Sequence, residues 1–159
     1  MSVRAFVGIG SNLGDRAAQA LSRLPETRLV RCSAWIETEP AEGVQGGRFL
    51  NGVAELETSL APRRLFEALG EIEVAMGRPC GHPPRAARSI DLDLLLYGSL
   101  ILQEPDLVIP HPRMTARRFV LEPLAAIAPD ARHPVLGRTA AELLARLGSD
   151  PIAQSEAAA

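Results

Sequence analysis

The chain contains no lysine: all 17 of its basic residues are arginine. A P-loop lysine, a Schiff base and a lysine amine nucleophile are therefore excluded. Any phosphate must be met by guanidinium groups, whose planar fork suits phosphate oxygens. Cysteine is scarce as well, with only Cys32 and Cys80, too few for a disulfide framework or a cysteine-based zinc site. Aromatic residues make up 4% of the chain. No apolar run approaches the roughly 20 residues that span a bilayer. Residues 1–24 carry Arg4, Arg16 and Arg23 and no long apolar core, which reads as no signal peptide. The net charge of −2 points to neither a nucleic-acid nor a membrane partner. A soluble, cytoplasmic protein is the expectation.

A length of 159 residues fits one domain with a real core. Residues 1–148 are read as that domain and 149–159 ("SDPIAQSEAAA") as a loose tail. "VRAFVGIG" (3–10) and "FLNGVAELETS" (49–59) have the β-branched and aromatic content of strands, and "LVRCSAWIET" (29–38) alternates enough to be a third. "RAAQALSRL" is helical, with Pro25 stopping it. Pro62 opens a helix with Leu65, Leu69, Ile72 and Met76 on one stripe and Gly77 as its stop. "RSIDLDLLLYG" (88–98) is the next strand, followed by short extended pieces near 100–102 and 107–109. "RRFVLEPLAAIAP" and "TAAELLARL" read as helices. The order strand, helix, strand, strand, helix, strand, with two helices on one face of an antiparallel sheet, predicts a ferredoxin-like α+β sandwich with C-terminal additions.

Two carboxylates interrupt the apolar strand. Side chains alternate across a strand, so Asp91 and Asp93 share a face, roughly 6.5–7 Å apart by strand rise. Unpaired, they repel each other and are poorly solvated. A divalent cation removes both costs, and hard oxygen ligands suit Mg²⁺, which completes its shell with water and substrate phosphates. The plainer alternative is a wet face with each aspartate paired to an arginine. A loop carrying Arg78, Arg85 and Arg88 leads straight into the strand, which favours metal with phosphate.

"GIGSNLGD" (8–15) invites a dinucleotide-binding reading, but its spacing is G-x-G-x-x-x-G and no βαβ setting follows. A tight turn at the edge of a site is the expectation there. His111, Arg113, Arg117 and Arg118 crowd eight residues around a helix start, a position that favours anions. His82 and His133 are expected at the surface. Phe49 and Phe119 stand beside loops, where they serve either as core or as a sandwich for a flat ring.

The segments "GIGSNLGD", "FLNGVAELETSLAP", "MGR", "ARSIDLDLLLYG" and "PHPRMTARRFVLEPL", in that order over residues 3–147, resemble the 6-hydroxymethyl-7,8-dihydropterin pyrophosphokinases of folate biosynthesis. The resemblance implies a ferredoxin-like fold and transfer of the ATP β,γ-diphosphate to the pterin hydroxymethyl oxygen, releasing AMP. It implies that Asp91 and Asp93 bind two Mg²⁺ ions. Arg78, Arg88, His111 and Arg117 match positions that hold ATP phosphates, the two arginines also counting as catalytic. Phe49 and Phe119 match a pterin-stacking pair, Asn51 the amide that reads the ring's polar edge, and Thr38 a further part of that pocket. Where the family often has R-W-G-P-R, this chain has Cys80 and Arg85 at the corresponding places. A monomer acting on ATP and a reduced pterin is expected, with residues 39–48 and 79–88 mobile when no ligand is bound. A nucleotidyltransferase and a non-catalytic nucleotide or pterin sensor are the rival readings.

Overall fold

A computed structural model describes residues 1–12, 14–38, 49–77 and 90–148. Strand β1 (Val3–Ser11) leads into helix α1 (Gly14–Ser22), then β2 (Thr27–Cys32), β3 (Ile36–Thr38) and β4 (Phe49–Thr58). Helix α2 (Pro62–Gly77) precedes β5 (Ile90–Tyr97), and β6 (Leu102–Gln103) pairs with β7 (Val108–Ile109) as a small ribbon. A 3-10 turn (Met114–Ala116), α3 (Arg118–Ile127) and α4 (Ala140–Gly148) complete it. The main sheet runs β2-β4-β1-β5, with β3 beside the far end of β4, and every pairing is antiparallel. The ferredoxin-like order anticipated from the sequence is present. No helix among the described residues is long and apolar enough to cross a membrane.

Strand alternation divides the sheet into two apolar faces. Ala5, Val7 and Ile9 of β1, Ala54 and Leu56 of β4, and Ile90, Leu92 and Leu94 of β5 pack against Ala17 and Leu21 of α1 and Leu65 and Leu69 of α2. Phe6, Val53, Leu95 and Leu96 face the other way, onto Val120, Leu121 and Leu124 of α3 and Leu143 and Leu147 of α4. The C-terminal additions are thus a third layer. A register shift between Phe6 and Val7, where Leu96 pairs with Phe6 and Leu94 with Val7, leaves Leu95 as an extra residue. Through this bulge, two consecutive leucines serve the same core. At the end of this face, Glu55 is clamped by Arg4 (3.0 Å) and Arg31 (3.3 Å). Arg4 also reaches Asp130, and Arg31 donates to the Ile127 carbonyl at the end of α3. That network pins α3 to the sheet.

Three expectations change. The strand read over 29–38 is two strands, broken at residues 33–35. Ser33 Oγ accepts the Val53 N–H at 2.9 Å while Ser33 N–H donates to the Val53 carbonyl. The chain then swings outward to seat Trp35 against Gly14 and Gly52, where an added Cβ would come within 2.8 Å of the indole. The "GIG" glycines are strand residues of β1 rather than a turn. His133 is buried, not superficial: its Nδ1 accepts the N–H groups of Val135 and Leu136 and organises the turn before α4. That helix opens with a capping box in which Thr139 Oγ1 and Glu142 Oε1 accept each other's backbone N–H. Residues 149–159, including the predicted tail, and His82 lie outside the described residues.

Leu69 of α2 is 1% exposed and central to the first core. Leu69→Ala is expected to cost about 2–5 kcal/mol of unfolding free energy, read from urea titration; a loss below 1 kcal/mol would contradict this packing.

Candidate active site

The two aspartates stand where alternation puts them. In β1–β5 pairing Asp91 is opposite Gly10 and Asp93 opposite Gly8, and in β1–β4 pairing Gly10 is opposite Asn51 and Gly8 opposite Val53. Directly opposed residues share a face. Asp91, Gly10 and Asn51 therefore form one row across three strands, on the α3 side of the sheet. With opposed Cα atoms about 4.5–5.5 Å apart, the carboxylate end of this row stands about 10 Å from its amide end.

Glycine makes the middle of that row a floor. A Cβ on Gly10 would come within 2.7 Å of Phe49 Cε2 and 3.4 Å of Asn51 Oδ1. The Phe49 ring thus lies over bare backbone. Asn51 is 7% exposed, and its Nδ2 donates to Thr38 Oγ1 at 2.7 Å, leaving the Thr38 hydroxyl to donate toward the Phe49 carbonyl at 3.5 Å. β3 and β4 bring the three together, since Thr38 pairs with Phe49 and Ile36 with Asn51.

A basic turn approaches the carboxylates from the α3 side. The His111 N–H donates to the Leu95 carbonyl at 2.9 Å, tying the turn to β5. His111 Nδ1 accepts the Arg113 N–H at 3.2 Å, so the neutral ring carries its proton on Nε2. That Nε2 stands 4.0 Å from Asp93 Oδ1. Burial lowers the His111 pKa, with Arg117 and Arg113 adding to the effect and Asp93 opposing it. Burial also pushes the Asp93 carboxyl above the ordinary carboxylate range; His111 opposes this, Asp91 reinforces it, and Arg117 and Arg113 oppose it. Arg117 caps α3, with its guanidinium carbon 5.6 Å from the Phe119 ring centre. Half-buried carboxylates held against their own repulsion, beside guanidinium groups, suit a cation that carries an anion.

Of the residues singled out in the sequence, Asp91, Asp93, His111 and Arg117 meet at one end of this face, and Thr38, Phe49 and Asn51 meet at the other. Phe119 lies on α3, on the same side of the sheet as both. Arg78, Arg88, Arg85 and Cys80, and the segments 39–48 and 79–88 expected to be mobile, lie outside the described residues. Two residues escaped the sequence reading. In the sequence Arg113 is one member of a basic cluster; in the fold its charge acts on both Asp93 and His111. Glu73 of α2 accepts the N–H of Leu92, between the aspartates, at 2.6 Å. Its signal was a carboxylate four residues after Leu69 on an otherwise apolar stripe.

Fold and site together define a ferredoxin-like α+β protein with paired strand carboxylates beside a basic turn and an aromatic-amide pocket. Residues 6–129 match the family model of 7,8-dihydro-6-hydroxymethylpterin-pyrophosphokinase (HPPK), and the chain belongs to that family. A 2-amino-4-hydroxy-6-hydroxymethyldihydropteridine pyrophosphokinase of Pseudomonas aeruginosa is 46% identical over 91% of this chain and 92% of its own. One of Methylorubrum extorquens is 38% identical over 96% and 99%. The folic acid synthesis protein fol1 of Schizosaccharomyces pombe is 36% identical, but this chain spans only 21% of it. Among solved structures, Plasmodium falciparum HPPK-DHPS with pteroate superposes with a TM-score of 0.69 at 14% identity. The match covers 94% of this chain and 43% of that one, and at such identity it supports the fold alone.

The burial of Asp93 has a measurable cost. A carboxyl whose folded pKa exceeds its unfolded value contributes stability present below the unfolded value and lost as pH rises through the folded one. Asp93→Asn, which cannot ionise, is expected to be more stable than the wild type at neutral pH without ligand. The difference should vanish below about pH 4. Urea titrations at the two pH values check this, and a variant less stable at neutral pH would contradict it.

Proposed function

We propose that this chain transfers the β,γ-diphosphate of ATP to the hydroxymethyl oxygen of 6-hydroxymethyl-7,8-dihydropterin, releasing AMP, with Mg²⁺ held by Asp91 and Asp93. Pyrophosphokinase activity in folate biosynthesis is the function of its family and of its full-length relatives. The observation that carries the residue assignments is the row Asp91–Gly10–Asn51, which joins a carboxylate pair to an aromatic-amide pocket across one bare floor.

In this reading the pterin ring lies against Phe49 and Phe119, and Asn51 reads its polar edge. Asn51 is held for that task by its bond to Thr38. The hydroxymethyl arm then points past the Phe49 ring, which covers Gly10, toward Asp91 and Asp93. The carboxylates are hard oxygen donors whose mutual repulsion a cation relieves, so the residues fit Mg²⁺. Held there, Mg²⁺ would supply charge neutralisation for the transferred diphosphate. His111 and Arg117, with Arg78 and Arg88, take the phosphates. His111 keeps its proton on Nε2, the nitrogen nearest Asp93, and its lowered pKa favours the neutral form, so it offers a hydrogen bond without a full charge. The hydroxymethyl oxygen forms its bond to the β-phosphorus as the β-phosphorus to bridging-oxygen bond breaks; that oxygen leaves with AMP, and the hydroxyl proton passes to solvent. Orientation and electrostatics carry the rate, and no covalent intermediate is required. A cytoplasmic monomer is the working form we favour, since one chain supplies both ends of the row.

Asp91→Ala or Asp93→Ala is expected to lower AMP formation by at least about a thousandfold while the fold persists, measured by nucleotide separation after incubation with ATP, Mg²⁺ and the pterin. Near-normal AMP from either variant would sink the metal assignment, and free pyrophosphate in place of AMP would indicate nucleotidyl transfer. Gly10→Ala tests the pocket. Its methyl displaces the Phe49 ring, so KM for the pterin should rise roughly tenfold with nucleotide affinity unchanged; an unchanged pterin KM would argue against the floor.

A further inference from the structure

We propose that Glu73 is a positioning residue for the carboxylate pair, acting through the backbone of the strand that carries it. The proposal rests on the reading that Asp91 and Asp93 hold Mg²⁺. β5 closes the sheet order, so among the described residues one of its edges has no neighbouring strand. Leu92 lies between the two aspartates, and its N–H is taken by Glu73 Oε2 at 2.6 Å. A charged acceptor at that distance makes a strong hydrogen bond, and it does for this peptide what a further strand would do.

Glu73 is half-buried where it stands. It follows Leu69 by four residues on the α2 stripe, between side chains that build the first core. An apolar residue would pack there without desolvating a carboxylate. Among what the carboxylate adds is a fixed orientation of the Leu92 peptide. Asp91 and Asp93 flank that peptide, and their side chains diverge from the strand according to its local twist. Holding it fixes the spacing and direction of the two carboxylates that would hold Mg²⁺. The same bond ties α2 to β5. Groups that orient metal ligands cost about 10–100-fold in metal affinity or activity when removed.

The test compares the full chain with its Glu73→Gln and Glu73→Ala variants. Two quantities are read besides turnover: amide hydrogen exchange at Leu92 without ligand, and the affinity for α,β-methylene-ATP with Mg²⁺ and with a chelator. Glu73→Ala is expected to speed Leu92 exchange and to weaken the Mg²⁺-dependent affinity about tenfold, leaving affinity in chelator unchanged. Glu73→Gln retains an oxygen acceptor and should recover both to within about threefold. Should Glu73→Ala not fold, Glu73→Asp, one methylene too short to reach Leu92, carries the same expectation. An alanine variant with wild-type Leu92 protection and Mg²⁺-dependent affinity would overturn the proposal. Equal weakening with and without Mg²⁺ would overturn it too, by making Glu73 a direct nucleotide contact. Wild-type binding without Mg²⁺ dependence would overturn the metal assignment instead, and Leu92 exchange would still decide the clamp.

Discussion

Mutual repulsion between two carboxylates, fixed on one face of a strand they share with leucines, is the constraint around which the rest of this protein is arranged. Alternation leaves Asp91 and Asp93 no choice of side, because Ile90, Leu92 and Leu94 are committed to the core beneath α1 and α2. The opposite face must then accommodate two neighbouring carboxylates. It does so by placing glycines opposite both aspartates and a basic turn above them. Burial, reinforced by Asp91, raises the proton affinity of Asp93, and a pair so placed suits a divalent cation.

From that constraint the remaining geometry follows in order. β1 must be bare where it passes between the carboxylates and β4, so Gly8 and Gly10 stand in mid-strand despite the entropic cost glycine carries there. The space admits the Phe49 ring and the Asn51–Thr38 pair. α3 must carry Arg117 and Phe119 at one end while remaining fixed at the other, which the Arg4, Arg31, Glu55 and Asp130 network secures. A bulge at Leu95 lets β5 keep its aspartates in register and still present two leucines to α3 and α4. Stability and site geometry thus share the same strands, with the cost concentrated in a few acidic side chains.

Much of this was legible because it depends on local periodicity. The shared face of Asp91 and Asp93 needs only the two-residue repeat of a strand, and the helix stripe of Leu65 and Leu69 needs only the 3.6-residue repeat. The order of elements limited the topology to a ferredoxin-like plan. What stayed hidden depends on partners distant in sequence. Trp35 breaks its strand because Gly14 and Gly52 leave a seat for it. His133 is buried because its ring accepts two backbone N–H groups, which no spacing announces. Glu73 reads as a solvated helix residue until β5 is laid beside α2. The glycines of "GIGSNLGD" were visible as a motif, but their role came from what lies across the sheet.

The most direct measurement of the central claim is the anomalous scattering of Mn²⁺ in crystals grown with α,β-methylene-ATP and the pterin. Peaks are expected at the Asp91 and Asp93 carboxylates beside the nucleotide phosphates, with the pterin's hydroxymethyl group next to them. Ordered nucleotide and pterin with no metal at either aspartate, or with the carboxylates neutralised by arginine alone, would contradict it.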